Sequence, residues 1–193
     1  FPSLAISLLH PHLSAMATLR IAVCNLQSGI GTTRGYWHYL VTAHRYRLPH
    51  DSELIKVAGD FLREEGIDIA LLCEVEGGSR RTRWVNQVDL LARHSGLGEQ
   101  LFFPTRIVGR RVNQGNGIVS RLPLRYCANH ALPGHGEPRF LSEAEALLGD
   151  TRVHLHVTHL SLERTLRTPQ IHNIARILAE NGGPTLLGGD FNI

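Results

Sequence analysis

The sequence predicts an α/β (α+β) fold in which helices cover strands that are buried on both faces. Three observations carry that prediction. Apolar runs at 19–25 (LRIAVCN), 67–74 (IDIALLCE) and 185–187 (TLL) lack the alternation of a half-solvated strand. Segments of helical periodicity lie between them. Four runs end in chemically capable residues: Asn25, Glu74, His159, and Asp190 with Asn192. Sites in open α/β sheets commonly gather at the carboxyl ends of strands.

The elements follow in order. Residues 19–25 form the first strand, followed by a Gly- and Thr-rich stretch (SGIGTTRG) and an aromatic one (YWHYL). Residues 51–65 form a helix capped by Asp51 or Ser52. Leu54, Ile55, Ala58, Phe61 and Leu62 share a face, and Gly66 stops it. A second strand, 67–74, ends in Glu74. Residues 82–95 form a second helix, with Trp84, Val88 and Leu91 on one side and Gly96 as its stop. GNGIVSR (115–121) is a strand opened by glycines, and 133–142 is a Pro/Gly-broken loop. EAEALLG and TRVHLHVTHLSL are two strands joined by a tight turn at Gly149 and Asp150, with His154 and His156 facing out. A third helix occupies 168–181, with Thr168 as cap, Pro169 at its first position and glycines at its end. TLLGGD is the last strand.

The chain has 193 residues, of which 42% are hydrophobic and 19% charged, and a net charge of +3. That composition excludes a disordered chain and permits an anionic partner without requiring one. Lys56 is the only lysine, so the positive charge is carried by arginine, the better bidentate phosphate ligand. Cys24, Cys73 and Cys127 form no CxxC pair, which argues against structural zinc and for a reducing compartment. No apolar run is long enough to span a bilayer. Residues 1–15 (FPSLAISLLHPHLSA) precede Met16 and lack a basic n-region. They are expected to be a leader outside a domain that occupies 16–193, and a start at Met16 would place the protein in the cytoplasm.

Each strand end has an ordinary reading. Asn after a strand forms turns, Glu74 can pair with Arg80, Arg81 or Arg83, and Gly-Gly-Asp can be a turn. Their co-occurrence suggests more. A carboxylate at a buried strand end needs a partner, and a hard divalent cation is one. Asp190 can polarise a water, Asn25 and Asn192 can donate to phosphate oxygens, and His159 can move protons near neutral pH. The set suits attack of activated water on a phosphate ester.

The ordered motifs VCNLQ, IALLCEVEGG, GNGIVSR, HVTHLSL and LLGGDFN resemble the endonuclease/exonuclease/phosphatase superfamily, of the DNase I-like fold, from about residue 18 to the end. The resemblance implies a four-layer α/β/β/α sandwich and a Mg²⁺- or Mn²⁺-dependent phosphoesterase. It implies that Glu74 ligates metal and that Asn25 lies near metal and phosphate. It gives His159 to the scissile phosphate, Asp190 to the nucleophile and Asn192 to phosphate binding. Two positions depart from the pattern of abasic-site endonucleases: Gln27 stands in place of a second metal-region Asp, and Asn113 in place of a phosphate-contacting Tyr. Asn113 and Arg121 are carried as substrate contacts. Domains of the superfamily continue past GDFN to a Ser-Asp-His motif. By the resemblance the chain is expected to be a fragment lacking its last strands, inactive as such and monomeric.

The substrate class stays open on the sequence. The arginines of SRRTR (79–83) and RIVGRR (106–111) favour DNA or RNA. A phospholipid, sphingomyelin or inositol-phosphate head group is the alternative, with Tyr36, Trp37, Tyr39 and Leu40 as a rim touching a membrane lipid. A non-catalytic binding module on the same fold is the alternative of another class.

Overall fold

The computed structural model describes residues 6–8, 18–29 and 52–193. The Gly/Thr-rich stretch, the aromatic segment with Tyr36, Trp37, Tyr39 and Leu40, and the Asp51 cap lie outside the described residues.

Two sheets pack face to face. The first has the order β1-β2-β3-β5-β4, built from β1 (Ile6–Leu8), β2 (Leu19–Asn25), β3 (Ile69–Glu76), β5 (Val112–Ser120) and β4 (Glu99–Val108). The second has the order β6-β7-β8-β9, from β6 (Leu124–Ala131), β7 (Phe140–Leu148), β8 (Thr151–His159) and β9 (Thr185–Asp190). β2 runs parallel to β3 and β8 parallel to β9; the other pairs are antiparallel. Ile6–Leu8, from the segment set apart as a leader, pairs with Leu19–Ile21 of β2.

The core between the sheets is one apolar layer. Ile21, Ile69, Leu71, Cys73, Phe103 and Ile118 meet Ala144, Val153, Leu155, Val157 and Leu186. The opposite faces carry the helices. α1 (Glu53–Glu64) and α2 (Gln87–Ser95) cover Ala70, Leu72, Val75 and Val119 of the first sheet. α3 (Arg164–Glu180) lays Ile174 and Ile177 on Leu132, Leu141 and Leu160. The result is the expected α/β/β/α sandwich. None of the helices among the described residues is long and apolar enough to cross a membrane.

Several elements differ from the sequence reading. β4 and β6 are edge strands that the sequence pattern does not announce. β4 carries Pro104, which an edge strand tolerates because it needs no ladder on its outer side. α2 begins at Gln87, not at 82, because residues 80–82 form a short 3₁₀ turn. Asn86 then caps α2, its side chain accepting from Val88 N and Asp89 N at 3.0 and 3.3 Å. Trp84 is therefore outside the helix. α3 starts at Arg164, a turn earlier than Thr168, with Pro169 inside its first turns. His154 and His156 do leave the core between the sheets, but His156 is fully buried. Its Nε2 lies 3.1 Å from Asn181 Nδ2, just past the end of α3.

Candidate active site

β3 places Glu74 by breaking its own alternation. Ile69, Leu71 and Cys73 point between the sheets, and Ala70 and Leu72 point to the helices. Strict alternation would send Glu74 to the helices as well. Instead Leu72 pairs with Gly117 and Val75 with Gly115, so Cys73 and Glu74 together face the single residue Asn116. This is a β-bulge, with Glu74 at φ 54. It turns the carboxylate toward the space between the sheets and returns Val75 to the helix side. A non-glycine residue held there costs about 1–3 kcal/mol and persists where surrounding structure fixes it.

The neighbouring strand ends complete the group. Asn25 closes β2 in register with Cys73, and Asp190 closes β9 in register with His159. Asn25 Nδ2 donates to Glu74 Oε1 and to Asp190 Oδ2, both at 2.9 Å. Its Oδ1 accepts from Gln27 N at 3.0 Å, which fixes the amide orientation. His159 Nδ1 lies 3.6 Å from Glu74 Oε1, and its Nε2 3.8 Å from Asp190 Oδ2. One asparagine and one histidine thus stand between two carboxylates contributed by different sheets.

Glycines 188 and 189 permit this approach. A Cβ on Gly188 would lie 2.7 Å from Leu71 Cδ1 of the facing sheet. A Cβ on Gly189, at φ 148, would lie 1.8 Å from the Thr158 carbonyl oxygen. LLGGD is therefore a strand whose last turns admit no side chain before Asp190.

A cleft beside the group is lined by Glu74, His159, Gln114, Asn116, Glu137 and Arg139, among others. Arg139 lines this cleft but was not singled out in the sequence, since 139 falls inside the segment read as a loop. Its guanidinium is nearly buried and donates to Glu137 Oε2 at 3.1 Å. Burial pushes the His159 imidazole below its ordinary range, and Arg139 pushes it the same way; Glu74 and Asp190 oppose them. Beneath the site, burial raises the Cys73 thiol to about 12 and the Cys24 thiol to about 11, so both stay protonated at neutral pH. Cys73 Sγ donates to Thr158 O at 3.3 Å, a polar tie between the sheets.

The remaining expected residues sit elsewhere or act otherwise. Asn192 lies two residues past Asp190, at φ 53. Its amide donates to Leu160 O at 2.8 Å and its backbone N–H to Asp190 Oδ1 at 3.1 Å, so it holds Asp190 in place. Asn113 does not line the cleft; Gln114, one residue along, does. The Asn113 backbone instead donates to Glu76 Oε2 at 3.2 Å and accepts from Gly77 N at 2.8 Å. Arg121 follows β5 and pairs with Asp68 at 3.1 Å, ahead of β3. Because β3 and β5 are antiparallel, that is the opposite end of the sheet from Glu74. Nor is SRRTR a uniformly solvated basic loop. Arg81 is buried in an ion pair with Glu76, whose Oε2 also accepts from Ser79 Oγ at 2.6 Å.

Among the described residues no three His, Cys, Asp or Glu side chains form a closed cation cage. A Mg²⁺-type ion does not need one, since it is typically held by one or two carboxylates and keeps waters and substrate phosphate as its other ligands. Glu74 and Asp190, each accepting from the one Asn25 amide at 2.9 Å, fit that donor set.

The sequence profile of the endonuclease/exonuclease/phosphatase family matches residues 23–193. The chain belongs to this family. Solved structures agree on the fold. Humanized D. rerio TDP2, carrying 14 mutations, is 18% identical with a TM-score of 0.60, over 91% of this chain and 63% of that one. A family protein from Leptotrichia buccalis C-1013-b is 12% identical with a TM-score of 0.65, over 91% and 68%. D. rerio TDP2 complexed with a single-strand DNA product is 18% identical with a TM-score of 0.58, over 91% and 61%. The chain thus spans roughly three-fifths to two-thirds of these proteins. At such identities the likeness is one of fold. No match is found among curated protein sequences.

Proposed function

We propose that the protein carrying this chain is a divalent-metal-dependent phosphodiesterase acting on nucleic acid. One observation carries the reading. Asn25, Glu74, His159 and Asp190, spread over most of the sequence, meet at one end of two sheets through contacts of 2.9 to 3.8 Å. Glu74 is the main ligand for a Mg²⁺-type ion, which when bound would polarise the phosphate and its attacking water. Asp190 orients that water and accepts its proton. Asn25 keeps the two carboxylates at a fixed spacing through one amide. His159, neutral at pH 7, donates toward the phosphate oxygen that gains charge. Arg139 supplies a fixed cation on the cleft wall, matched to a phosphate diester. Family membership supports the phosphoesterase class, and the single-strand DNA product bound by D. rerio TDP2 supports a nucleic acid substrate.

The test is a substrate panel of single- and double-stranded DNA, RNA, sphingomyelin and an inositol phosphate, with Mg²⁺, Mn²⁺ or EDTA. Metal-dependent cleavage of nucleic acid, lost by several orders of magnitude in Glu74→Gln, is expected. Hydrolysis of sphingomyelin or inositol phosphate alone would replace the substrate class, and unchanged turnover in Glu74→Gln would remove that residue from the site.

A further inference from the structure

The loop from β3 to α2 displays an indole rather than burying it. Trp84 is 55% exposed. It and Arg83 adopt consecutive left-handed conformations, φ 66 and 53, which non-glycine residues rarely hold side by side. The backbone that holds them is fixed. Trp84 N donates to Ser79 O at 2.8 Å, Thr82 Oγ1 to Val85 O at 2.9 Å, and Arg81 anchors the loop to buried Glu76. Strained backbone in a well-tied loop points to a displayed side chain with work to do.

The β4–β5 hairpin supplies its partner. Arg80 N donates to Arg110 O at 2.9 Å, which docks the loop on the hairpin tip. The Arg110 guanidinium then lies 5.0 Å from the centre of the Trp84 ring. Arg80, Arg110 and Arg111 are exposed, and neither 77–86 nor 104–111 contains an acidic residue. Since β5 opens at the end where β3 closes, this surface shares the catalytic end of the first sheet.

We infer that Trp84 and Arg110 form a stacking platform for an unpaired stretch of nucleic acid leading to the cleft. This rests on the nucleic acid reading of the site above. Unpaired bases offer their faces to an indole and a planar guanidinium, while the flanking arginines meet the phosphates. In duplex those faces are already stacked. A membrane surface fits less well: with a guanidinium on its face, the indole cannot enter hydrocarbon without taking the charge along.

Fluorescence anisotropy of the chain with a labelled single-stranded oligonucleotide of about 12 nucleotides, in EDTA, tests the platform. Trp84→Ala should weaken binding about 5- to 100-fold, Trp84→Phe should retain most of it, and Arg110→Ala should weaken it and lower its salt dependence. The matched duplex should bind more weakly than the single strand. Equal affinity of Trp84→Ala and wild type, with both folded by circular dichroism, would overturn the platform. So would a Trp84 dependence seen only with anionic phosphatidylserine vesicles. Because EDTA removes any cation, the outcome is separate from catalysis. Weakened binding without cleavage of any diester leaves the platform standing and the catalytic reading fallen; cleavage with unaltered Trp84→Ala binding gives the reverse.

Discussion

Glu74 and Glu76 are separated by one residue and do opposite things. Glu74 faces the cleft with its oxygens within reach of Asn25 and His159, whereas Glu76 is sealed off. Glu76 pairs with buried Arg81, accepts from Ser79 Oγ, and also receives the Asn113 backbone N–H. Arg81 Nη2 donates on to Ser28 Oγ at 2.9 Å, which ties in the turn after β2. Removing one partner of such a pair leaves an uncompensated buried charge. Glu76→Ala should therefore cost about 3–5 kcal/mol in urea unfolding. Arg80→Ala, on an exposed neighbour, should stay within about 0.5 kcal/mol. Equal effects in the two variants would mean that the Glu76 network does not hold the loop. The sequence showed both glutamates and all three arginines of the region, but not which glutamate takes which arginine. That choice follows from the bulge at Glu74, a change in backbone path that no residue pattern encodes. The four residues that meet in the site were legible because each ends an apolar run. Arg139 was not, since nothing in EPRF distinguishes a cleft wall from a solvated loop, and the placing of Arg121 at the far end follows from the antiparallel pairing of β3 and β5, which the residue pattern does not give.

At the scale of elements, the legible ones were those covered by others. β2, β3 and β9 read as apolar runs because helices or sheets bury both faces, β8 read from its alternation, and α1 showed its stripe except that Phe61 stays exposed. β4 and β6 escaped because edge strands are half exposed and carry polar residues and Pro104. The α2 boundary escaped because a 3₁₀ turn and two left-handed residues interrupt a pattern that looks continuously helical. β9 is where an element and the site are least separable. Gly189→Ala would drive a methyl group into the Thr158 carbonyl at a φ that alanine avoids. The β8–β9 pairing must then shift, carrying Asp190 away from His159, its register partner. The expected result is a loss of several kcal/mol in thermal unfolding together with lost catalysis. Gly96→Ala, where a Cβ meets nothing within 4 Å, is the control and should cost only the left-handed backbone penalty of about 1 kcal/mol. If Gly189→Ala melts no lower than Gly96→Ala, the close approach of β9 to β8 is not needed.

The molecule as a whole joins its site to its stability, because the two carboxylates come from different sheets. Protons enter this balance first. Burial lowers the affinity of His156 for a proton below that of a solvated imidazole, and His159 moves the same way. The unfolded chain then takes up protons at a pH where the folded one does not, so stability rises with pH across that window. It should be flat above about pH 7.5 and fall as pH drops through the unfolded histidine value of about 6.5. His156→Phe should flatten part of the fall in urea titrations at about pH 7.5 and about pH 5.5, and a wild-type profile with no such fall would show the two rings to be solvated. Glu143, held low by His130 and its neighbours against the effect of burial, acts in the same direction at lower pH. A divalent cation is the second input. An ion that binds Glu74 and Asp190 only when both sheets are assembled stabilises the folded chain by RT ln(1 + [L]/Kd), about 2.7 kcal/mol at a hundredfold excess over Kd. Mg²⁺ or Mn²⁺ should therefore raise the melting temperature, EDTA should reverse the rise, and Glu74→Gln should abolish it. Arg121→Ala, at the far end of the sheet, should leave the rise intact. An equal rise in Glu74→Gln would place the ion elsewhere on the molecule, and no rise at any concentration in the wild-type chain would separate metal binding from this pair of carboxylates.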